Sequence, residues 1–318
     1  MPHRIFCLLF VLGSLSQAAC AEAPAWAYPV NPPGDAAAPD NGRLIHVPGS
    51  AAGFTRTQLS AIGGHVSDWH PEEHPAMPPI VSEGHPPKVY ACAYCHLPNG
   101  AGRPENASLA GLSPAYLLEQ VRAFRSGNRP GSEPRRGPQS TMVAIAQATT
   151  DGEAAEAAAY FASIKPACFV RVVETDTVPK TVVRGWTLKR APEGGSEPLG
   201  NRIIEMPEDF QRFEDRDSRT GYVAYVPVGS LRQGAELAAT GAWGRSLACA
   251  TCHGADLRGV ADVPRLAGRS PGYLARQLFD LRAGNRRGGN AELMKPVVAR
   301  LTDADVVALA AYLASCAP

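Results

Sequence analysis

The sequence predicts a mainly α protein: two small helical domains joined by a β-leaning insertion, with an irregular Pro-rich arm in front. Three observations carry this. A helical stretch occurs twice, the residues between the copies are rich in Val, Thr and Tyr, and 29 Pro and 31 Gly accompany only 7% aromatics. Such a composition favours small helical units with long connections over one large core. The divisions are an export signal over 1–21, a Pro/His-rich arm over 22–85, a first domain over 86–166, the β-leaning segment over 167–229 and a second domain over 230–318. A length of 318 residues suffices for two domains or three small ones. The formal charge of +1 gives no argument for a nucleic acid or a charged membrane surface as partner.

The first residues read as an export signal. Arg4 supplies a positive start, Ile5 to Leu15 is almost wholly apolar, and Ala19-Cys20-Ala21 is a small-residue cleavage site. That run is too short to span a bilayer. Cys20 also has the position of a lipidated first residue, but Gln17 is a poor match for the apolar residue usual before it, so export without lipid is the preferred reading. Cys7 and Cys20 then leave with the signal. Four of the remaining cysteines lie in two motifs, and Cys168 and Cys316 stand alone.

The repeat is read by shifting the chain 157 places, which lays Cys92, Cys95 and His96 on Cys249, Cys252 and His253. The same shift lays "LAGLSPAYLLEQ" (109–120) on "LAGRSPGYLARQ" (266–277) and "RSGNR" (125–129) on "RAGNR" (282–286), without a gap. It then falls to 152, laying Met142 on Met294 and "AAYFAS" on "AAYLAS", so the first copy has five extra residues inside "NRPGSEPRRGPQS". Surface loops tolerate such insertions. In "SPGYLARQLFDLRAG" a Ser-Pro pair opens a helix, Leu274, Leu278 and Leu281 follow helical spacing, and Gly284 marks its end. "TDADVVALAAYLAS" and "TDGEAAEAAAYFAS" each open with capping residues. "FVRVVETDTV", "TVVRGWTL" and "GYVAYVPV" read as short strands packed against both domains.

Both motifs read Cys-x-x-Cys-His, "CAYCH" and "CATCH". Thiols at i and i+3 with an imidazole at i+4 share one face of a helical turn. Zinc would need four ligands per site, and no second Cys/His pair follows either motif. A redox dithiol wants a βαβ setting, which these helical units do not offer. Covalent haem attachment remains: thioethers from Cys92, Cys95, Cys249 and Cys252, and iron met from one side by His96 and His253. The opposite ligand must come from elsewhere. A single loop Met is ordinarily a packing residue, but Met142 and Met294 align across the repeat and so become the candidates. A neutral, soft thioether favours the ferrous state and raises the potential.

On these motifs, the loop Met and the terminal "AAY-x-AS" helix, each copy resembles a class I cytochrome c domain, and the tandem resembles the dihaem cytochrome c4 and c553-like family. The resemblance implies His/Met ligation of two haem c groups, a periplasmic setting, and electron exchange with redox protein partners, a periplasmic or membrane donor and acceptor. It departs from the family in the long insertion and arm, and in Ala107 standing where the second copy has Pro264, whose carbonyl would accept from the proximal His.

Around the first haem the helix faces place Leu117, Val121, Phe124 and Tyr160, and around the second Leu278, Leu281 and Tyr312. Tyr116 and Tyr273 are either haem contacts or core, and the Arg residues of "RSGNR" and "RAGNR" either meet propionates or end a solvated helix. His65, His70, His74 and His85 read as part of a solvated arm, with metal binding as the rival. Cys168 and Cys316 either pair or remain separate thiols. The function expected is a soluble electron carrier and not an enzyme. The alternatives are a dihaem enzyme with one open iron site, which predicts a missing distal ligand, and the cytochrome subunit of a periplasmic dehydrogenase complex.

Overall fold

The structure, a computed structural model, describes residues 23–34 and 39–318, apart from the side chains of Ala242 and Trp243. The expected export segment, with Cys7 and Cys20, lies outside the described residues.

The arm is better packed than a solvated Pro-rich segment would be. A capping box between Thr55 and Gln58 starts the short helix α1 (Arg56–Ser60). Val47, Leu59 and Trp69 form a small core, with Phe54 set edge-on to Trp69 at 4.6 Å. Trp69 Nε1 donates to the Asp215 carbonyl at 2.7 Å, and Arg56 pairs with the Asp215 carboxylate at 2.6 Å. An arm short of ladder hydrogen bonds is thus held by side chains reaching the middle segment. It ends in α2 (Pro79–Ser82) and the hairpin β1 (Gly84–His85) with β2 (Val89–Tyr90).

The first copy consists of α3 (Cys92–His96), α4 (Pro114–Arg125), α5 (Gly137–Ala148) and α6 (Asp151–Ser163). Its starts follow the sequence signals. Ser113 Oγ accepts from Tyr116 N, with Pro at the first position of α4. Thr150 and Glu153 form a capping box on α6. Arg125 then ties the end of α4 to the turn before α6, donating to the carbonyls of Ala146 and Thr149 and to Asp151.

The middle segment carries β3 (Val170–Glu174), β4 (Thr177–Pro179), β5 (Thr181–Arg184), β6 (Thr187–Arg190), β7 (Ser196–Pro198), β8 (Ile204–Pro207), α7 (Phe210–Glu214) and β9 (Tyr222–Val226). β9 is the centre of a three-stranded sheet, parallel to β3 and antiparallel to β8. Alternation gives it two buried faces. Tyr222, Ala224 and Val226 join the core of the second copy, whereas Val223 and Tyr225 face Val178, Leu199, Ile204 and Met206.

The second copy consists of α8 (Ser230–Gly244), α9 (Ala250–His253), α10 (Pro271–Arg282), α11 (Ala291–Val298) and α12 (Asp303–Ser315). α12 is apolar nearly all round because α8, α10 and the sheet cover it. α8 crosses it at Gly234, where a Cβ would lie 2.1 Å from the Ala308 carbonyl oxygen. In the first copy the short α2 packs on α6 in place of a long helix. Arg282 repeats the role of Arg125, bonding the Leu301 carbonyl and Asp303.

Candidate functional site

α3 and the loop behind it bring the first motif to the wall of a 630 Å³ cavity. Cys92, Cys95 and His96 line it on one side and Met142, on α5, on another. Leu112, Leu117, Val121, Phe124, Ile145 and Phe161 supply an apolar interior. His96 donates from Nδ1 to the Ala107 carbonyl at 2.8 Å, so its Nε2 is left as the nitrogen with a free lone pair. Burial pulls its pKa below the ordinary 6.5, which favours the neutral ring that metal ligation would require. Gly102 makes that geometry: its φ is +69°, its N–H donates to the His96 carbonyl at 2.9 Å, and a Cβ there would lie 2.5 Å from Ala107 O.

The second motif repeats the construction. His253 Nδ1 donates to the Pro264 carbonyl at 2.8 Å, again eleven residues on, and Gly259 (φ +86°) donates to the His253 carbonyl at 2.8 Å. Ala107 and Pro264 thus do the same work, because a carbonyl accepts whatever side chain it carries. Met294 lies on α11, half-buried against the core that includes Leu281, with Leu278 and Tyr312 packed on it. This copy is far more open. Cys252 is exposed, as are Leu247 (57%), Val260 (57%) and Leu293 (72%).

The thiols do not suit redox exchange, which needs a depressed pKa. Burial pushes Cys92 up to about 12 and Cys249 up to about 11. Among the described residues no group of three or more His, Cys, Asp or Glu is arranged to hold a metal ion, the four arm histidines included. His70 is buried against Asp217 at 3.1 Å, and His74 lies 3.2 Å from Asp68 and 3.0 Å from the Tyr160 hydroxyl. His85 meets Glu153, and exposed His65 lies near Glu83. Two of the four are therefore packed, not solvated. Tyr160 does not line the cavity: its hydroxyl donates to the Pro98 carbonyl at 2.8 Å. Cys168 and Cys316 are both free thiols.

Between the copies the aligned residues meet across a pseudo-two-fold. Arg129 bonds Gln120 of its own copy and Gln277 of the other, and Arg286 bonds Gln277 of its own and Gln120 and Tyr116 of the other. Burial opposes ionisation of Tyr273, but Arg269, Arg129 and Arg286 around it pull its pKa below the usual phenol value. These arginines end no solvated helix.

The first cavity has walls that its own copy does not supply. Leu59 and Ile62 come from the arm, Arg184, Trp186, Phe213 and Arg216 from the middle segment, and Arg269, Tyr273 and Arg276 from the second copy. Trp186 (φ +64°) and Arg216 (φ +58°) both hold the left-handed backbone that L side chains disfavour. Arg216 stacks on Tyr94 at 3.5 Å and donates to the Tyr94 and Leu59 carbonyls, while Arg103 stacks on Phe213 at 3.7 Å and pairs with Glu105. Eight arginines but only two glutamates line the cavity. An apolar chamber with thiols, a neutral imidazole, a thioether and surplus guanidinium groups fits a covalently held haem, an apolar macrocycle bearing two carboxylates. The sequence reading missed Arg103, Arg216 and Trp186; only the Gly102/Gly259 pair had a signal, its alignment in the repeat.

A family model, cytochrome c, matches residues 232–317. Cytochrome c-554(548) of Halomonas halodenitrificans is 44% identical over 21% of this chain and 82% of its own length. Cytochrome c4 of Azotobacter vinelandii is 28% identical over 71% of this chain and 84% of its own. A solved thiosulfate dehydrogenase of Marichromatium purpuratum shares the fold with a TM-score of 0.52 at 29% identity, over 75% of this chain; the chain spans 39% of that one. This chain belongs to the cytochrome c family, as a cytochrome c4-like dihaem class I cytochrome. It carries two covalently bound haems and transfers electrons. No helix among the described residues is long and apolar enough to cross a membrane.

Proposed function

We propose that the protein is a periplasmic electron carrier whose haems are held by Cys92, Cys95 and His96 in the first copy and by Cys249, Cys252 and His253 in the second, with Met142 and Met294 as the opposite axial ligands. The observation that carries this reading is the duplicated imidazole geometry, Nδ1 to the carbonyl eleven residues on at 2.8 Å in both copies. When bound, the haems supply one-electron chemistry between the ferrous and ferric states. The chain's own residues do the rest. The carbonyls of Ala107 and Pro264 fix tautomer and ring plane, burial keeps both imidazoles neutral, and the apolar walls exclude water from the first site. Filled axial positions make it a carrier and not an enzyme.

Its partners are redox proteins, a donor and an acceptor. The likeness to a thiosulfate dehydrogenase electron acceptor of Thiomonas intermedia, 26% identical over 72% of this chain, favours one in particular, a thiosulfate-oxidising enzyme that hands electrons to this chain. The test is spectroscopic. Oxidised protein should show two low-spin irons with Met-to-iron charge transfer, and the reduced form should ignore carbon monoxide. A high-spin iron, or carbon monoxide binding at either site, defeats the carrier reading. Reduction by thiosulfate dehydrogenase, with none in its absence, is the result expected of the proposed donor.

A further inference from the structure

The five extra residues of the first copy fall in the loop from Asn128 to Ser140, and the structure gives that loop a place. Ser132 Oγ donates to Asp280 of the second copy at 2.6 Å, and Gln139 Nε2 donates to the Arg129 carbonyl. The irregular part of that stretch ends at Arg136, the residue before α5, which the 152-place shift that lays Met142 on Met294 lays on Gly288. Arg136 is 5% exposed and lines the first cavity. Among the described residues its Nη atoms reach only the carbonyls of Glu105 and Trp186, each at 3.5 Å, and its Nε has no partner. Among the described residues no carboxylate lies within ion-pair distance of it. Arg269, reaching the same cavity from the second copy and 3% exposed, also has an unpartnered Nε.

A buried guanidinium without an anion is costly, because its lost hydration is not returned by a counter-charge. Burial and the neighbouring Arg276 push the Arg136 pKa down to about 9. A carboxylate inside the cavity would answer this cost with a charge-assisted bond. We propose that Arg136, with Arg269 facing the same space, binds a propionate carboxylate of the first haem and so separates the potentials of the two haems. The second copy, with Gly288 at the aligned position, has no equivalent. The proposal rests on the haem assignment given above. A cation beside the first haem stabilises the ferrous over the ferric iron by plain electrostatics, so the first haem is held at the higher potential.

The experiment is optical and EPR redox titration of the full haem-loaded chain, wild type against Arg136→Gln, Arg136→Lys and Arg269→Gln. Haem content is measured first, by the pyridine haemochrome spectrum. Fewer than two thioether-linked haems in the wild type overturns the haem assignment itself. With two haems present, Arg136→Gln is expected to lower the potential of one haem and leave the other in place, Arg136→Lys to restore most of the shift, and Arg269→Gln to move the same haem. If both potentials stay at wild-type values, or both fall together, the proposal is overturned. Should Arg136→Gln not accumulate as folded protein, Arg269→Gln carries the same readout.

Discussion

The two copies are built from one pattern and end in opposite surroundings. Position for position, buried Arg103 faces exposed Val260, and buried Tyr94 faces exposed Thr251. In the first copy the arm and the middle segment close over the motif; in the second the motif keeps an exposed cysteine and an apolar rim. The helical cores differ the other way. α12 is covered all round by α8, α10 and the sheet, whereas α6 buries only part of its surface against α2 and α4. The repeat thus preserves the Cys-x-x-Cys-His motif and its imidazole-to-carbonyl bond while the non-repeated parts decide which site meets solvent. A site sealed by other segments is tuned by their charges; an open one is tuned by water and by whatever docks there.

The comparison can be broken most severely at Gly234. Alanine there drives a Cβ against the Ala308 carbonyl, and the expected loss is about 3 kcal/mol, outweighing the roughly 1 kcal/mol that helix propensity favours. Met77→Ala, in the arm and half-buried against the core of the first copy, should cost less. Thermal unfolding of both variants decides this, and equal losses would mean that the two cores are built alike. Next in size is Arg216→Gln. It removes the stack on Tyr94 and two carbonyl partners, for about 2 kcal/mol, and unroofs the first site. Stopped-flow reduction by a small hydrophilic reductant should then quicken several-fold at the first haem and not at the second; unchanged rates would show that the roof does not limit access.

The smallest effect concerns His74. Burial opposes its protonation, but the hydrogen bond to Asp68 and the Pro75 carbonyl raise its pKa above the ordinary 6.5. A raised folded-state pKa contributes stability that is fully present below 6.5 and is lost as the pH climbs through the folded value. His74→Gln should therefore cost most in acid, by less than about 1 kcal/mol after solvent screening, and the gap should close as the pH rises. Urea unfolding from pH 5 to pH 9 checks the sign; a gap that widens with pH reverses the argument.

Much of the site was legible because it is local. Cys-x-x-Cys-His lies within one turn, the Ser-Pro and Thr capping signals start their helices where expected, and the strands of the middle segment alternate as their Val and Tyr residues do. What was not legible depends on distance along the chain. Trp186 and Arg216 reach the first cavity from beyond the copy they cover, and no periodicity within the copy points to them. The histidine-rich arm looked solvated because its prolines forbid helix, yet His70 and Trp69 are buried by partners near 215 that the arm's own composition does not announce.

The sequence by itself determined the two Cys-x-x-Cys-His motifs, the duplication and the helix starts, since these depend on residues a few positions apart, whose geometry the backbone limits. Tertiary structure alone decided that Arg129 and Arg286 lock the copies together, that eight arginines surround one cavity, and that one site is roofed while the other is open. Those outcomes follow from which distant surfaces pack, and packing is a sum over contacts that no single stretch of the chain contains.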